Sequence, residues 1–230
     1  MFYRQKESSR STSKSSLDST NEANDGSPVT RATRPSPMRP LYSTTVTHTK
    51  KRSSVPGATR SMSLRKKTLV LDLDETLIHG TLSSQCRSYH HAVEIMVENI
   101  ACLYYIYKRP HVDYFLKKVS EWYNVVIFTA SIMEYADPVI DSLDPHRTLI
   151  QQRYFRESCI QQGCNFLKDL TIIEPDLSHV CLIDNSPASY ALNRENGIPI
   201  QAWYNNNSQD EELLNLLPFL DALRFTQDIR

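Results

Sequence analysis

Three short apolar runs constrain this chain most: Leu69-Val70-Leu71, Val125-Val126-Ile127-Phe128 and Val180-Cys181-Leu182-Ile183. Runs of this length with no polar alternation read as strands buried on both faces, the kind found in parallel sheets. Each stops abruptly at polar residues: Asp72 and Asp74 after the first, Thr129 after the second, Asp184-Asn185-Ser186 after the third. A folding core gains nothing from such endings, and desolvated carboxylates need a cation or a bound anion's counter-charges around them.

Between these runs the apolar period changes. Val112, Phe115, Leu116, Val119 and Trp122 fall on one helical face, with Lys117, Lys118 and Glu121 off it, and a second helical stretch runs from Met133 to Leu143 until Asp144-Pro145 stops it. Two strand-like runs, Ala92 to Val97 and Ala101 to Tyr107, flank Glu98-Asn99 and predict a hairpin inserted after the first strand. Thr148 to Leu170 reads as short strands with a turn at Gly163. Pro187 suits the first position of a helix and Gly197 the residues beyond its end. Ser208 and Glu211 form a capping-box pattern for a last helix over 210–225, with Leu213, Leu217, Leu220 and Leu223 as its stripe and Pro218 expected to bend it. The fold class that follows is α/β: a parallel sheet flanked by helices, with a small β-hairpin inserted after the first strand.

Composition divides the chain. Residues 1–67 carry 14 Lys/Arg against 4 Asp/Glu and residues 68–230 carry 12 against 22, so the formal net zero conceals a basic leader and an acidic body. The leader is rich in Ser, Thr, Arg and Pro, includes Ser27-Pro28 and Lys50-Lys51-Arg52, and lacks periodic apolar residues. We expect residues 1–65 to be a disordered basic tail, able to touch an anionic membrane surface or to carry phosphates, and residues 66–230 to be the folded domain. No apolar run reaches the roughly 18–20 residues of a spanning helix. Five cysteines (Cys86, Cys102, Cys159, Cys164, Cys181) without CxxC spacing and without a preceding leader peptide favour a reducing compartment over a disulfide framework. The seven histidines, His90-His91 among them, show no zinc-ligand spacing.

Parallel sheets bind ligands at the carboxyl ends of their strands, so the three polar endings predict one shared site, joined by Lys168 just before Asp169-Leu170. Hard oxygen donors beside a fixed ammonium suit Mg²⁺ and a phosphate group better than zinc or iron. One carboxylate can attack phosphorus while the other donates a proton to the leaving alcohol and later activates water.

These residues also carry a resemblance. Asp72-Leu73-Asp74-Glu75-Thr76-Leu77 is similar to the DxDxT signature of haloacid-dehalogenase-type phosphotransferases, in the form found in the branch with the small C-terminal-domain phosphatases and the Dullard, or nuclear-envelope phosphatase, family. Phe128-Thr129-Ala130-Ser131, Lys168-Asp169-Leu170 and Asp184-Asn185-Ser186-Pro187 match the other motifs of that branch, and Lys108-Arg109-Pro110-His111-Val112-Asp113 and the ending 215–226 most resemble Dullard and its fungal counterparts. The resemblance spans roughly residues 66–230. It implies a Mg²⁺-dependent protein serine/threonine phosphatase working through an aspartyl-phosphate. Asp72 would be the nucleophile and Asp74 the general acid/base, while Thr129 and Lys168 would hold phosphoryl oxygens. Mg²⁺ would be bound by the Asp72 carboxylate, the Asp74 main-chain carbonyl and Asn185, with Asp184 in the same shell, and Arg156 would shape the substrate pocket.

The same resemblance implies a lipin-type phosphatidate phosphatase as substrate, a membrane-spanning regulatory subunit as partner, no nucleic acid at the catalytic domain, and a place on the cytosolic face of the nuclear envelope or endoplasmic reticulum. Relatives carry a membrane segment ahead of the domain where this chain shows only its basic tail. Two other readings are an RNA polymerase II C-terminal-domain phosphatase and a non-catalytic binding module like the mitochondrial import receptor of this fold; the complete acidic set argues against the latter.

Overall fold

A computed structural model describes residues 65–83, 88–97 and 99–230. The basic leader with its Ser-Pro and Lys-Lys-Arg features, Cys86 and Glu98 lie outside the described residues. In chain order the elements are β1 (Thr68–Leu71), β2 (Ile78–Thr81), β3 (His91–Val97), β4 (Ile100–Lys108), α1 (Val112–Trp122), β5 (Asn124–Phe128), α2 (Met133–Leu143), β6 (Ile150–Tyr154), β7 (Ile160–Gln162), β8 (Asn165–Leu167), β9 (Val180–Asp184), β10 (Gly197–Pro199) and α3 (Glu212–Leu223), with short 3₁₀ turns between them.

The three apolar runs are the three central strands of a five-stranded sheet ordered β10-β9-β1-β5-β6, in which every pair is parallel. Leu71 lies level with Ile127 on one side and with Ile183 on the other, so Asp72, Thr129 and Asp184 leave the sheet at one edge. Period-2 alternation then divides the apolar side chains. Leu69, Leu71, Val125, Ile127, Cys181 and Ile183 join the main core with the apolar faces of α1, α2 and α3, while Val70, Val126, Phe128, Val180 and Leu182 form a smaller core on the opposite face. That smaller core is covered by Leu170, Ile173, Leu177 and Tyr190 from 3₁₀ turns and loops, not by a long helix.

Helix α1 buries Val112, Phe115, Leu116 and Val119, the stripe expected from its period. Tyr123, just past its end, donates its hydroxyl to the Leu220 carbonyl of α3 at 2.6 Å. Lys67, at the entrance to β1, donates to the carbonyls of Leu223 (3.0 Å) and Thr226 (2.6 Å), satisfying the end of α3. The first strand is thereby tied to the last helix. Asp144 ends α2 as expected, and its carboxylate accepts the N–H groups of Thr148, Leu149 and Ile150 at 2.8–3.0 Å, turning the chain into β6.

Three local expectations are corrected. The inserted hairpin β3–β4 has a third partner, β2, which pairs antiparallel with β4 to give a sheet ordered β2-β4-β3. Only four residues long and containing Gly80, β2 carries too little alternation to read as a strand. Residues between Pro187 and Gly197 form successive turns and one 3₁₀ turn instead of a helix. Pro187 still follows the β9 carboxyl end, but Asp184, not a helix cap, organises this segment by accepting the Ser186 N–H at 2.8 Å. The capping box is absent too: α3 starts at Glu212, Glu211 makes no side-chain cap, and Asp210 accepts the Glu212 N–H at 3.3 Å. Asp210 is drawn there by Arg109, a tertiary partner that no local pattern announces. Helix α3 runs through Pro218 without interruption.

No helix among the described residues is long and apolar enough to cross a membrane. Cys102, Cys159, Cys164 and Cys181 are free thiols.

Candidate active site

At the carboxyl edge of the sheet, Lys168 is buried to 1% exposure between two carboxylates. Its ammonium donates to Asp72 Oδ1 and to Asp184 Oδ2, each at 2.6 Å. Lys168 arrives there because β8 ends at Leu167 and the Lys168 N–H donates to the Ser189 carbonyl at 2.8 Å, which ties the β7–β8 hairpin to the turns after β9. Thr76, fully buried, donates its hydroxyl to the other oxygen of Asp72 at 3.1 Å. Asn185 Oδ1 lies 3.3 Å from the same hydroxyl. One proton cannot serve both acceptors, and the charged one holds it more strongly, so the Asn185 oxygen keeps a lone pair for another partner.

The charges in this cluster do not balance. Two buried carboxylates face one ammonium, and removal from water together with repulsion from Asp184 pushes the Asp72 carboxyl up to about 7 against the pull of Lys168. Burial opposes the charge on Lys168, yet Asp72 and Asp184 outweigh it and hold the ammonium above its ordinary range. A pocket with surplus negative charge, two carboxylates and a free amide oxygen suits a hard divalent cation. Asp72, Asp184 and Asn185 could hold one, with the Asp74 main-chain carbonyl nearby in sequence. Among the described residues no group of three His, Cys, Asp or Glu side chains forms a metal cluster, so neutral oxygens would have to complete the shell.

Asp74, two residues on, occupies a different environment. Its Oδ2 accepts the Ser131 hydroxyl at 2.7 Å and its Oδ1 the Tyr135 hydroxyl at 2.8 Å. Burial raises its pKa; the two hydroxyls work against that rise and neighbouring Glu75 adds to it. Its carboxylate is therefore directed to the β5–α2 loop and the first turn of α2, away from the lysine. Gly80 makes this possible, since a Cβ on it would collide with the Tyr135 hydroxyl.

Thr129 is buried beside β1, and its Oγ1 accepts the Ser131 N–H at 3.0 Å, leaving its own proton for another acceptor. Arg156 follows β6, donates Nε to the Ala130 carbonyl at 2.6 Å and stacks 5.1 Å from the Phe166 ring centre. All the residues singled out in the sequence thus occupy this edge: Asp72, Lys168, Asp184 and Asn185 in one cluster, Asp74 beside it, Thr129 on the β5–α2 loop and Arg156 on the turn after β6, which hydrogen-bonds to that loop. Sequence reasoning gave no roles to Thr76, Ser131 and Tyr135. The first two lie inside the quoted motifs, whereas Tyr135 reads as one more apolar position of α2, and only the glycine in β2 hinted at a close approach.

The parallel α/β sheet with ligand-type residues at its carboxyl edge is a haloacid-dehalogenase-like fold. Two solved structures of the RNA polymerase II CTD phosphatase Fcp1, one of them the fission yeast protein bound to beryllium fluoride, share the fold with TM-scores of 0.53 and 0.54 at 23% identity, covering 68% and 70% of this chain and 50% and 51% of theirs. The family model of the NLI interacting factor-like phosphatases matches residues 67–230, and the chain belongs to that family. It is 44% identical over 178 residues to the CTD nuclear envelope phosphatase 1 homolog of Caenorhabditis elegans, covering 74% of this chain and 72% of that protein. It is 43% identical to CTD nuclear envelope phosphatase 1 of Xenopus tropicalis with the same coverage. Nuclear envelope morphology protein 1 of Schizosaccharomyces pombe is 45% identical over 177 residues, which are 76% of this chain but 37% of that protein's length.

Proposed function

We propose that this chain is a Mg²⁺-dependent protein serine/threonine phosphatase in which Asp72 becomes transiently phosphorylated. The observation that carries this reading is the division of the acidic pair: Asp72 fixed by Lys168 and Thr76, Asp74 turned toward Ser131 and Tyr135. An ionised Asp72 oxygen attacks phosphorus, the bond to the serine or threonine oxygen breaks, and Asp74 delivers a proton to that oxygen. Asp74, now a carboxylate, takes a proton from water, whose oxygen attacks the aspartyl-phosphate and releases inorganic phosphate. Lys168 and the Thr129 hydroxyl are suited to hold phosphoryl oxygens, and Arg156 to border the substrate.

Asp72, Asn185 and the Asp74 main-chain carbonyl, with Asp184 alongside, would hold Mg²⁺, which would supply the positive charge that lets an anionic carboxylate approach an anionic phosphate. The surplus negative charge around Lys168 supports that assignment. Replacing Asp72 with Asn should lower turnover of an aryl phosphate by at least about 10⁴-fold while the protein stays folded. Undiminished turnover would remove Asp72 from the nucleophile's role.

Relatives named for the nuclear envelope support a place at that membrane; on the motif resemblance we further propose a substrate of the lipin type, met on the cytosolic face of the nuclear envelope or endoplasmic reticulum, with a membrane-spanning regulatory subunit as partner and peripheral membrane contact through the basic residues 1–65 ahead of the domain at 66–230. No nucleic acid is expected at the catalytic domain. Side-by-side rates on a phospho-lipin peptide and an RNA polymerase II C-terminal-domain heptad phosphopeptide decide the substrate; preference for the heptad would overturn the lipin assignment.

A further inference from the structure

The turn that carries the acidic pair is gripped from outside the catalytic site. Glu75 sits at φ 59°, a left-handed conformation that a residue with a side chain holds only under restraint. Three successive carbonyls, the first its own, supply that restraint. Glu75 O accepts the Trp203 N–H at 2.9 Å, Thr76 O accepts Arg109 Nη1 at 3.1 Å, and Leu77 O accepts the Arg109 N–H at 3.0 Å. Arg109 is 1% exposed and uses the rest of its guanidinium on the segment before α3: Nε and Nη2 donate to the two oxygens of Asp210 at 2.7 and 3.0 Å, and Nη2 donates to the Gln201 carbonyl at 2.9 Å.

The same Thr76 whose carbonyl Arg109 holds donates its hydroxyl to Asp72. We infer that Arg109, locked by Asp210, is a positioning residue: it fixes Thr76, and through Thr76 the orientation of the Asp72 carboxylate for attack. The inference rests on the phosphatase reading for its consequence in rate, but its structural part, a clamp on 72–78 from the C-terminal segment, stands without it.

A merely structural ion pair and a clamp predict different outcomes. A buried pair can be replaced by apolar residues of similar volume with little loss of stability, so Arg109→Met combined with Asp210→Leu leaves no unpaired charge. In the full-length chain we expect this double variant to unfold at a temperature near the unsubstituted protein's. Its kcat on an aryl phosphate should fall about 10²-fold with KM within about twofold, the signature of misplacement rather than lost binding. Hydrogen exchange should accelerate in the peptide spanning 72–78 and stay unchanged in β5 and β9. Arg109→Lys is the second variant: it keeps a cation for Asp210 but cannot reach Thr76 with a planar fork, and it should show the same split in smaller measure.

Retained kcat with unchanged exchange at 72–78 in the folded double variant, or in Arg109→Lys if the double variant does not fold, would overturn the inference. Faster exchange at 72–78 in a chain whose unsubstituted form hydrolyses no phosphate would instead sink the phosphatase reading and leave the clamp in place.

Discussion

Two buried ionic groups lie on either side of Thr76, and they differ in their arithmetic. Arg109 and Asp210 match one charge with one charge, and the carbonyls of Thr76 and Gln201 accept two of the three remaining guanidinium N–H groups. Asp72, Lys168 and Asp184 place two negative charges around one positive. The first group is complete and can only hold; the second is short of a cation, and its Asp72 carboxyl is displaced to about 7 by burial and Asp184. Balance marks a structural pair and imbalance a chemical one, because a surplus charge kept out of water is tolerated only where a ligand or a reaction uses it.

The strongest way to break this contrast is to unbalance the balanced side. Asp210→Asn leaves the Arg109 guanidinium buried with no counter-charge and should destabilise the protein by about 3–5 kcal/mol, read from urea unfolding. A loss below about 1 kcal/mol would mean that the pair is better solvated than its burial indicates.

The opposite change on the other side should stabilise. The folded chain keeps the Asp72 proton to about pH 7, whereas an unfolded aspartate releases it near pH 4. Below about pH 4 both states are protonated and there is no cost. Between about 4 and 7 the unfolded state gains from ionising and stability falls as pH rises; above 7 the full cost is present. Asp72→Asn cannot ionise, so without added metal it should exceed the unsubstituted protein in stability by about 2–4 kcal/mol at pH 8, with the gain fading toward pH 4. Equal stability at both pH values would contradict the surplus-charge reading.

This contrast also separates what the sequence discloses from what it hides. Asp72, Thr129 and Asp184 are legible because parallel strands end in register: an apolar run that stops at a polar residue states where the site lies without any knowledge of contacts. The β3–β4 hairpin and the buried face of α1 follow from period alone. Arg109 and Asp210 are about a hundred residues apart in sequence, and nothing near either one predicts the other. Ser208 and Glu211 form a sound local cap signal that lost to this tertiary pair. The turns after Pro187 likewise answer to Asp184 and Lys168, not to helix propensity.

The smallest effect concerns Asp74, whose carboxylate accepts two hydroxyls. Tyr135 donates to the carboxylate, and burial next to Asp74 and Glu75 pushes its own ionisation far above the ordinary tyrosine range, so it remains a donor at any working pH. Tyr135→Phe removes one bond that favours ionised Asp74, which raises the Asp74 pKa further. An acid with a higher pKa stays protonated longer, so the alkaline limb of kcat/KM should move to higher pH, while kcat at its optimum falls by less than about tenfold. Gly80→Ala should reproduce the shift, because the added methyl collides with the Tyr135 hydroxyl and must displace it. If Tyr135→Phe leaves the limb unmoved, the proton on Asp74 does not set it; if Gly80→Ala alone is silent, β2 yields and the ring keeps its bond.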